Sequence, residues 1–169
     1  MRSNQATICS WAESTFGPAT DLARVLARAN EELAEGLRAV AAGRPFEEGA
    51  EDVADVAIVL CRAASLAHIE LRRVEDGQRT EPGTKWMALH LFRQVGSELL
   101  DAIEHAEHPA KFATRFHIRA AYAGLGDLAR QLGFGLWDRI DAKMAINCER
   151  VWRQDGTGRG YHVREKVPV

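Results

Sequence analysis

Residues 20–70, TDLARVLARANEELAEGLRAVAAGRPFEEGAEDVADVAIVLCRAASLAHIE, decide the fold. Apolar residues recur every three or four positions on both sides of a break at Gly43-Arg44-Pro45, which is the period of an amphipathic helix. Proline is poorly tolerated inside a helix, so the break separates two helices, at about 20–42 and 47–70. Because the break is short, the two helices are expected to form an antiparallel hairpin.

The rest of the chain continues this pattern. Ala, Leu, Arg and Glu dominate, sustained alternation is absent and β-branched clusters are short, so the sequence favours helices over strands. The expected fold class is all-α, an antiparallel helical bundle, with a single domain over 1–153. A glycine-rich C-terminal tail over 154–169 is expected to lack regular structure. The further predicted helices span about 5–14, 85–106, 111–132 and 136–153.

Composition narrows the possible partners and compartment. The chain has 169 residues, with 22 Lys+Arg against 24 Asp+Glu, and this balance argues against nucleic acid as a partner. No apolar run approaches the roughly 20 residues of a membrane span, and the N-terminus shows no secretory signal. The three cysteines are widely spaced and form no CxxC pair, so reduced thiols and a cytoplasmic location are expected.

Two pairs of acidic residues lie on the predicted hairpin. Glu32 and Glu35 share one face of the first helix, and Asp52 and Asp55 share one face of the second. Glu35 lies ten residues before Pro45 and Asp55 ten residues after it, so the antiparallel hairpin should bring the two acidic pairs together. Unpaired carboxylates at close range repel one another, and oxygen ligands suit a hard cation such as Mg²⁺ or Mn²⁺. The alternative is a solvated acidic face without an ion.

These residues resemble the signature of a known family. The series Glu31-Glu32-x-x-Glu35 followed by Asp52-x-x-Asp55 is similar to the ExxE…ExxD pattern of the MazG-like all-α nucleoside triphosphate pyrophosphohydrolases. A second match lies at 132–152, LGFGLWDRIDAKMAINCERVW, which resembles the closing helix of that family. The matching pattern there is Lys-x3-Asn-x2-Arg, at Lys143, Asn147 and Arg150.

The resemblance implies an activity and a site. The family hydrolyses the α–β phosphoanhydride of (d)NTPs to a nucleoside monophosphate and pyrophosphate. It implies that Glu31 orients or deprotonates the attacking water, beside Glu32. The implied Mg²⁺ ligands, with Mn²⁺ as a possible substitute, are Glu32, Glu35, Asp52 and Asp55. The implied contacts to phosphate or sugar are Lys143, Asn147 and Arg150.

The chain departs from the family pattern in two ways. Asp52 stands where the family usually has Glu, so the metal distance or the helix approach must adjust. A helical insertion of about 50 residues, at about 71–122, separates the two matching segments. This insertion is either a degenerate copy of the first hairpin or an unrelated helical segment. In the first case Glu98 and Asp101 echo Glu32 and Glu35, and Asp127 echoes Asp55.

Substrate and assembly follow only from the resemblance. The ending KMAINxxRxW…DGTG is similar to that of the phage MazZ-type (d)GTP diphosphohydrolases, so dGTP or GTP is the leading substrate, in the host cytoplasm if the protein is phage-encoded. Trp11 is the favoured residue for stacking on the base. The alternatives are a dUTP or dCTP pyrophosphohydrolase and a non-catalytic metal- or partner-binding bundle. A homodimer or homotetramer is expected, with Val56, Leu60 and Leu66 buried by a second subunit.

Overall fold

The fold is all-α, as predicted. The structure is a computed structural model, and it describes residues 2–73, 81–108, 112–154 and 160–162. In these ranges it has six helices and one short antiparallel strand pair. The elements are α1 (Gln5–Phe16), α2 (Leu22–Ala41), α3 (Phe46–Leu66), α4 (Lys85–Glu104), α5 (Phe112–Gln131), α6 (Leu136–Glu149), β1 (Trp152–Gln154) and β2 (Gly160–His162).

Local sequence signals set the helix ends. The side chains of Asn4, Asp21 and Thr84 cap α1, α2 and α4 by accepting hydrogen bonds from backbone N–H groups in the first turn. Gly43, with a φ of 75°, carries the chain out of α2 in the left-handed conformation, and Pro45 then precedes α3. The predicted hairpin is therefore present, and it turns at the predicted break.

Two predictions for the C-terminal part are wrong. Helix α6 ends at Glu149 instead of 153, because Arg150 adopts an extended conformation. Part of the predicted irregular tail is a strand, since 160–162 pairs with 152–154. Residues 155–159 and 163–169 of the predicted tail lie outside the described residues.

The helices pack around one apolar core. Helix α2 packs against α3 and α4, α4 packs against α5, and α3 also contacts α1, α5 and α6. The expectation that a second subunit buries Val56 and Leu60 is wrong, because both are fully buried within this single chain, whereas Leu66 is half-buried and does not test it. None of the helices among the described residues is long and apolar enough to cross a membrane.

The α4–α5 hairpin repeats the plan of the α2–α3 hairpin. The buried residues of α4 follow those of α2 at an offset of 66, as in Leu26 and Phe92 or Leu33 and Leu99. The buried residues of α5 follow those of α3 at an offset of 65, and this offset also aligns the ends of the two helices. Equal lengths and equal buried faces favour a degenerate copy over an unrelated insertion.

Candidate metal and phosphate site

Three of the four predicted carboxylates meet between α2 and α3. One oxygen from each of Glu32, Asp52 and Asp55 lies within 4.8 Å of the others. Gly36 permits this approach, because a Cβ atom there would lie 3.1 Å from the Cβ of Asp52. Glu35 lies one turn further along α2, on the exposed side, and is not among these three.

The environment of the three carboxylates disfavours their charged forms. Burial, together with the charges of Asp55, Glu35 and Asp52, raises the pKa of Glu32 from 4.5 to about 7, although Arg28 opposes this rise. Burial and the neighbouring carboxylates likewise raise the pKa of Asp52 from 3.8 to about 6. Burial also raises the pKa of Asp55, against the opposing effect of Lys143. Glu35 is close enough for its charge to contribute to the first two shifts.

Two basic side chains partly compensate this negative charge. Lys143 Nζ lies 2.7 Å from Asp55 Oδ2 and 3.8 Å from Glu51 Oε2. Arg28 pairs with Glu32 through one nitrogen and with Glu31 Oε2 through another, at 3.0 Å for the second pair. Glu31 thus lies beside the three carboxylates, on the outer side of α2, with 49% of its side chain exposed.

The closing segment brings Lys143, Asn147 and Arg150 to the same place, though by another route than predicted. Lys143 and Asn147 share a face of α6, where 12% of the Lys143 side chain is exposed and Asn147 is buried. Arg150 follows the end of the helix, and its Nη1 donates to Asn147 Oδ1 at 3.4 Å. Burial raises the pKa of Asp55, and the charge of Arg150, together with that of Lys143, opposes this rise. Arg150 therefore lies beyond the helix, although the predicted helix over 136–153 included it.

Trp11 belongs to a cluster of three aromatic rings. Its ring centroid lies 5.3 Å from that of Phe16 and 6.0 Å from that of Trp152, and all three pairs meet edge to face. Trp152 Nε1 donates to the carbonyl of Asn147 at 2.9 Å, so the cluster adjoins the closing segment of the site. Trp86 lies outside this cluster: it is 69% exposed at the start of α4 and stacks on His90.

An open cleft borders the carboxylates. It has a volume of about 590 Å³, and its lining includes Glu35, Asp52, Arg38 and Arg44. The two arginines were not singled out from the sequence, although Arg38 follows Glu35 at helical spacing on the same face. Arg28 was not predicted from the sequence either, although its position four residues before Glu32 is the spacing of an ion pair on a helix.

The donor set fits a hard divalent cation. Three carboxylate oxygens within 4.8 Å are the ligand type that Mg²⁺ and Mn²⁺ prefer, and the described residues bring no sulfur or imidazole into this group. Glu32, Asp52 and Asp55 are the residues placed to hold such an ion. The carboxylates whose pKa values are raised would be stabilised in their charged forms by it.

The fold and the site together define a class: an α-helical bundle with a partly buried carboxylate cluster that is paired with basic side chains. Comparison with known proteins narrows this class no further, because no family model, no curated protein and no solved structure matches the chain significantly.

Proposed function

We propose that this protein is a Mg²⁺-dependent nucleoside triphosphate pyrophosphohydrolase that cleaves the α–β phosphoanhydride of (d)NTPs. The observation that carries the proposal is the meeting of Glu32, Asp52 and Asp55 with Lys143 at one site. These residues come from the two separate sequence segments that resemble the MazG-like family. A solvated acidic face would need neither the burial of Glu32 nor the ion pair of Asp55 with Lys143 from α6.

The acidic and the basic residues of the site have different roles in the proposed reaction. Glu32, Asp52 and Asp55, with Glu35 beside them, would hold Mg²⁺. The ion, when bound, supplies a more acidic water and neutralises charge on the leaving pyrophosphate. Lys143 and Arg150 donate hydrogen bonds to phosphate oxygens, and the planar guanidinium of Arg150 can do so with two N–H groups at once.

Glu31 has the position of a water-orienting residue. It adjoins Glu32 in sequence, and half of its side chain is open to solvent. Arg28 pairs with both Glu31 and Glu32 and so holds the Glu31 carboxylate beside that of Glu32. In the overall reaction one water molecule is consumed, the bond between the α-phosphate and the β-phosphate breaks, and a monophosphate and pyrophosphate leave.

The finer parts of the proposal rest on the resemblance. The closing segment at 143–152 makes dGTP or GTP the leading substrate, with dUTP or dCTP as the alternative. Trp11, Phe16 and Trp152 offer ring faces or edges for the base. We also propose a cytoplasmic protein that assembles as a homodimer or homotetramer. The competing function is a non-catalytic bundle that binds a metal or a partner.

The proposal is tested with a panel of dNTPs and NTPs in Mg²⁺, with pyrophosphate release as the readout. Asp52→Asn should lose at least about 100-fold in rate, because it removes a metal-binding oxygen charge while keeping the side-chain size. Glu47→Gln, which changes an exposed carboxylate in the first turn of α3, should keep the wild-type rate. If no nucleotide is turned over in Mg²⁺ or Mn²⁺, the non-catalytic bundle is the better account.

A further inference from the structure

A second group of metal-binding side chains lies on the α4–α5 hairpin. His117 Nδ1 is 2.8 Å from Glu98 Oε2 and 3.9 Å from Asp101 Oδ2, and all three ligand atoms lie within 4.8 Å of one another. Ligand atoms bound at about 2.0–2.1 Å to one ion are about 3–3.4 Å apart. The observed separations bracket that range, so small side-chain rotations would complete a site.

We propose that Glu98, Asp101 and His117 form a second cation site that takes a divalent transition metal ion such as Zn²⁺. The site is separate from the proposed nucleotide site, because its residues come from a different hairpin. It contains an imidazole nitrogen where the first site has only carboxylate oxygens.

The structural repeat supports this assignment. At the offsets that align the two hairpins, Glu98, Asp101 and His117 occupy the places of Glu32, Glu35 and Asp52. The antiparallel packing that brings Glu32 to Asp52 therefore brings Glu98 to His117. A histidine facing an i, i+3 carboxylate pair is thus a property of the hairpin plan, not of a chance surface contact.

The charge balance differs from that of the first site. Lys143 and Arg28 accompany the carboxylates there. Within the described parts of the chain, Glu98 and Asp101 form ion pairs with no lysine or arginine; their partner is His117. His117 Nδ1 now donates a hydrogen bond to Glu98 Oε2, so an ion that binds at Nδ1 replaces the proton there, and the imidazole binds as the neutral tautomer with its proton on Nε2. In that form the group carries two negative charges, which one divalent ion would neutralise.

The surroundings hold His117 in place and add a second imidazole. Its ring lies 5.7 Å from that of His105 at an angle of 28°, and 5.3 Å from that of Phe116. His105 Nδ1 lies 2.8 Å from the carbonyl oxygen of Asp101, which can only accept, so Nδ1 carries a proton and is the donor. A ring nitrogen donated to a backbone carbonyl is the usual support of a metal-binding histidine.

The ligand type predicts selectivity between the two sites. Carboxylate and water suit Mg²⁺, whereas imidazole favours Zn²⁺, Co²⁺ or Ni²⁺. In an excess of Mg²⁺ the first site should be filled by Mg²⁺, and the second should still bind a transition ion.

The test is calorimetric titration of ZnCl₂ into the full chain in excess Mg²⁺, with Cys148→Ser throughout to remove the exposed thiol. The parent protein should bind one Zn²⁺, and both His117→Gln and Asp101→Asn should bind it about tenfold or more weakly. His90→Gln, on the same helix α4 but stacked on Trp86, should bind like the parent.

Circular dichroism of each variant shows whether the helices remain. If His117→Gln does not fold, Asp101→Asn still tests the site, because the side chain of Asp101 is 49% exposed. X-ray absorption of the Zn²⁺ form should show imidazole nitrogen. The proposal is wrong if the parent binds no Zn²⁺, or if both variants bind it as tightly as the parent. Neither result bears on the nucleotide site, since the variants leave Glu32, Asp52 and Asp55 unchanged.

Discussion

Replacing Glu32 by Gln should stabilise the metal-free protein at pH 8. Glu32 is only 8% exposed, and its pKa rises from 4.5 to about 7. A carboxyl whose pKa is higher in the folded chain binds its proton more tightly there, so the free energy of unfolding falls as the pH rises from about 4.5 to about 7. Gln has nearly the same shape and no charge, so it escapes this loss.

The magnitude follows from the two pKa values. Their difference corresponds to about 3 kcal/mol at about 1.4 kcal/mol for each pH unit. Because Asp52 and Asp55 titrate together with Glu32, part of this free energy is recovered by their protonation, and a gain of about 2 kcal/mol is expected. For a chain of this length the midpoint of thermal unfolding should rise by about 4–8 °C.

The assay is urea unfolding of the parent and Glu32→Gln in EDTA, at pH 5 and at pH 8. The two proteins should differ by about 2 kcal/mol at pH 8 and by less than about 1 kcal/mol at pH 5, where Glu32 is protonated in the folded chain but partly ionised in the unfolded chain. Added Mg²⁺ should stabilise the parent and have little effect on the variant. Glu31→Gln, one residue away but half-exposed, should change the free energy of unfolding by less than about 1 kcal/mol.

An equal or lower stability of Glu32→Gln at pH 8 would refute this reasoning. It would mean that the bond between Glu32 and Arg28 outweighs burial and the neighbouring carboxylates. A difference of the same size at both pH values would also refute it, because the effect would then have no connection with ionisation.

Three further predictions concern residues around the site and the core. Gly36→Ala should destabilise the protein by about 1–3 kcal/mol, because the added Cβ would lie 3.1 Å from atoms of both Asp52 and Phe92. Gly126→Ala, whose Cβ would have no neighbour nearer than 3.9 Å, should stabilise it by about 0.5–1 kcal/mol. Urea unfolding of both variants measures these differences. Lys143→Met should raise the pKa of Asp55 further and cost about 1–3 kcal/mol at pH 8, partly restored by Mg²⁺, while Glu51→Gln should cost less than about 1 kcal/mol. Burial alone would raise the pKa of Asp141, but hydrogen bonds from the Ser3 N–H and from Arg73 outweigh it and lower this pKa. Asp141→Asn should therefore lower the free energy of unfolding by about 1 kcal/mol at pH 7. Measured as a function of pH, this difference should shrink below about pH 4.

The helices and most of the acidic cluster could be predicted from the sequence alone. The spacing of apolar residues on either side of Gly43 predicted α2 and α3, and a hairpin of known polarity then placed Glu32 opposite Asp52 and Asp55. It did not show that Glu35 lies outside the inner three, because helical spacing alone does not separate the buried edge of a helix face from its exposed edge.

The sequence did not determine how the residues of the second hairpin align with those of the first. A shift of seven residues is close to two helical turns and preserves the buried face, so offsets of 65 and 72 are equally compatible with the apolar pattern. The expectation that Asp127 echoes Asp55 used the second offset and is wrong. Asp127 is 54% exposed and pairs with Arg130, while His117, at the first offset, faces Glu98.

The C-terminal end of α6 was missed for a different reason. Glu149, Arg150 and Trp152 are compatible with a helix by propensity, so nothing local predicts an end at Glu149. The end is decided by tertiary pairing of β1 with β2 and by the bond from Trp152 to the carbonyl of Asn147. Trp152 also packs against Trp11 and Phe16 of α1, so contacts outside the helix override local propensity here.

The central claim is that the carboxylate cluster and Lys143 serve hydrolysis of the α–β phosphoanhydride. The most direct measurement is phosphorus NMR of dGTP incubated with the protein and Mg²⁺, followed by addition of EDTA. We predict resonances of pyrophosphate and dGMP in equal amounts, and these resonances should stop growing when EDTA is added. Orthophosphate with dGDP, or continued turnover in EDTA, would contradict it.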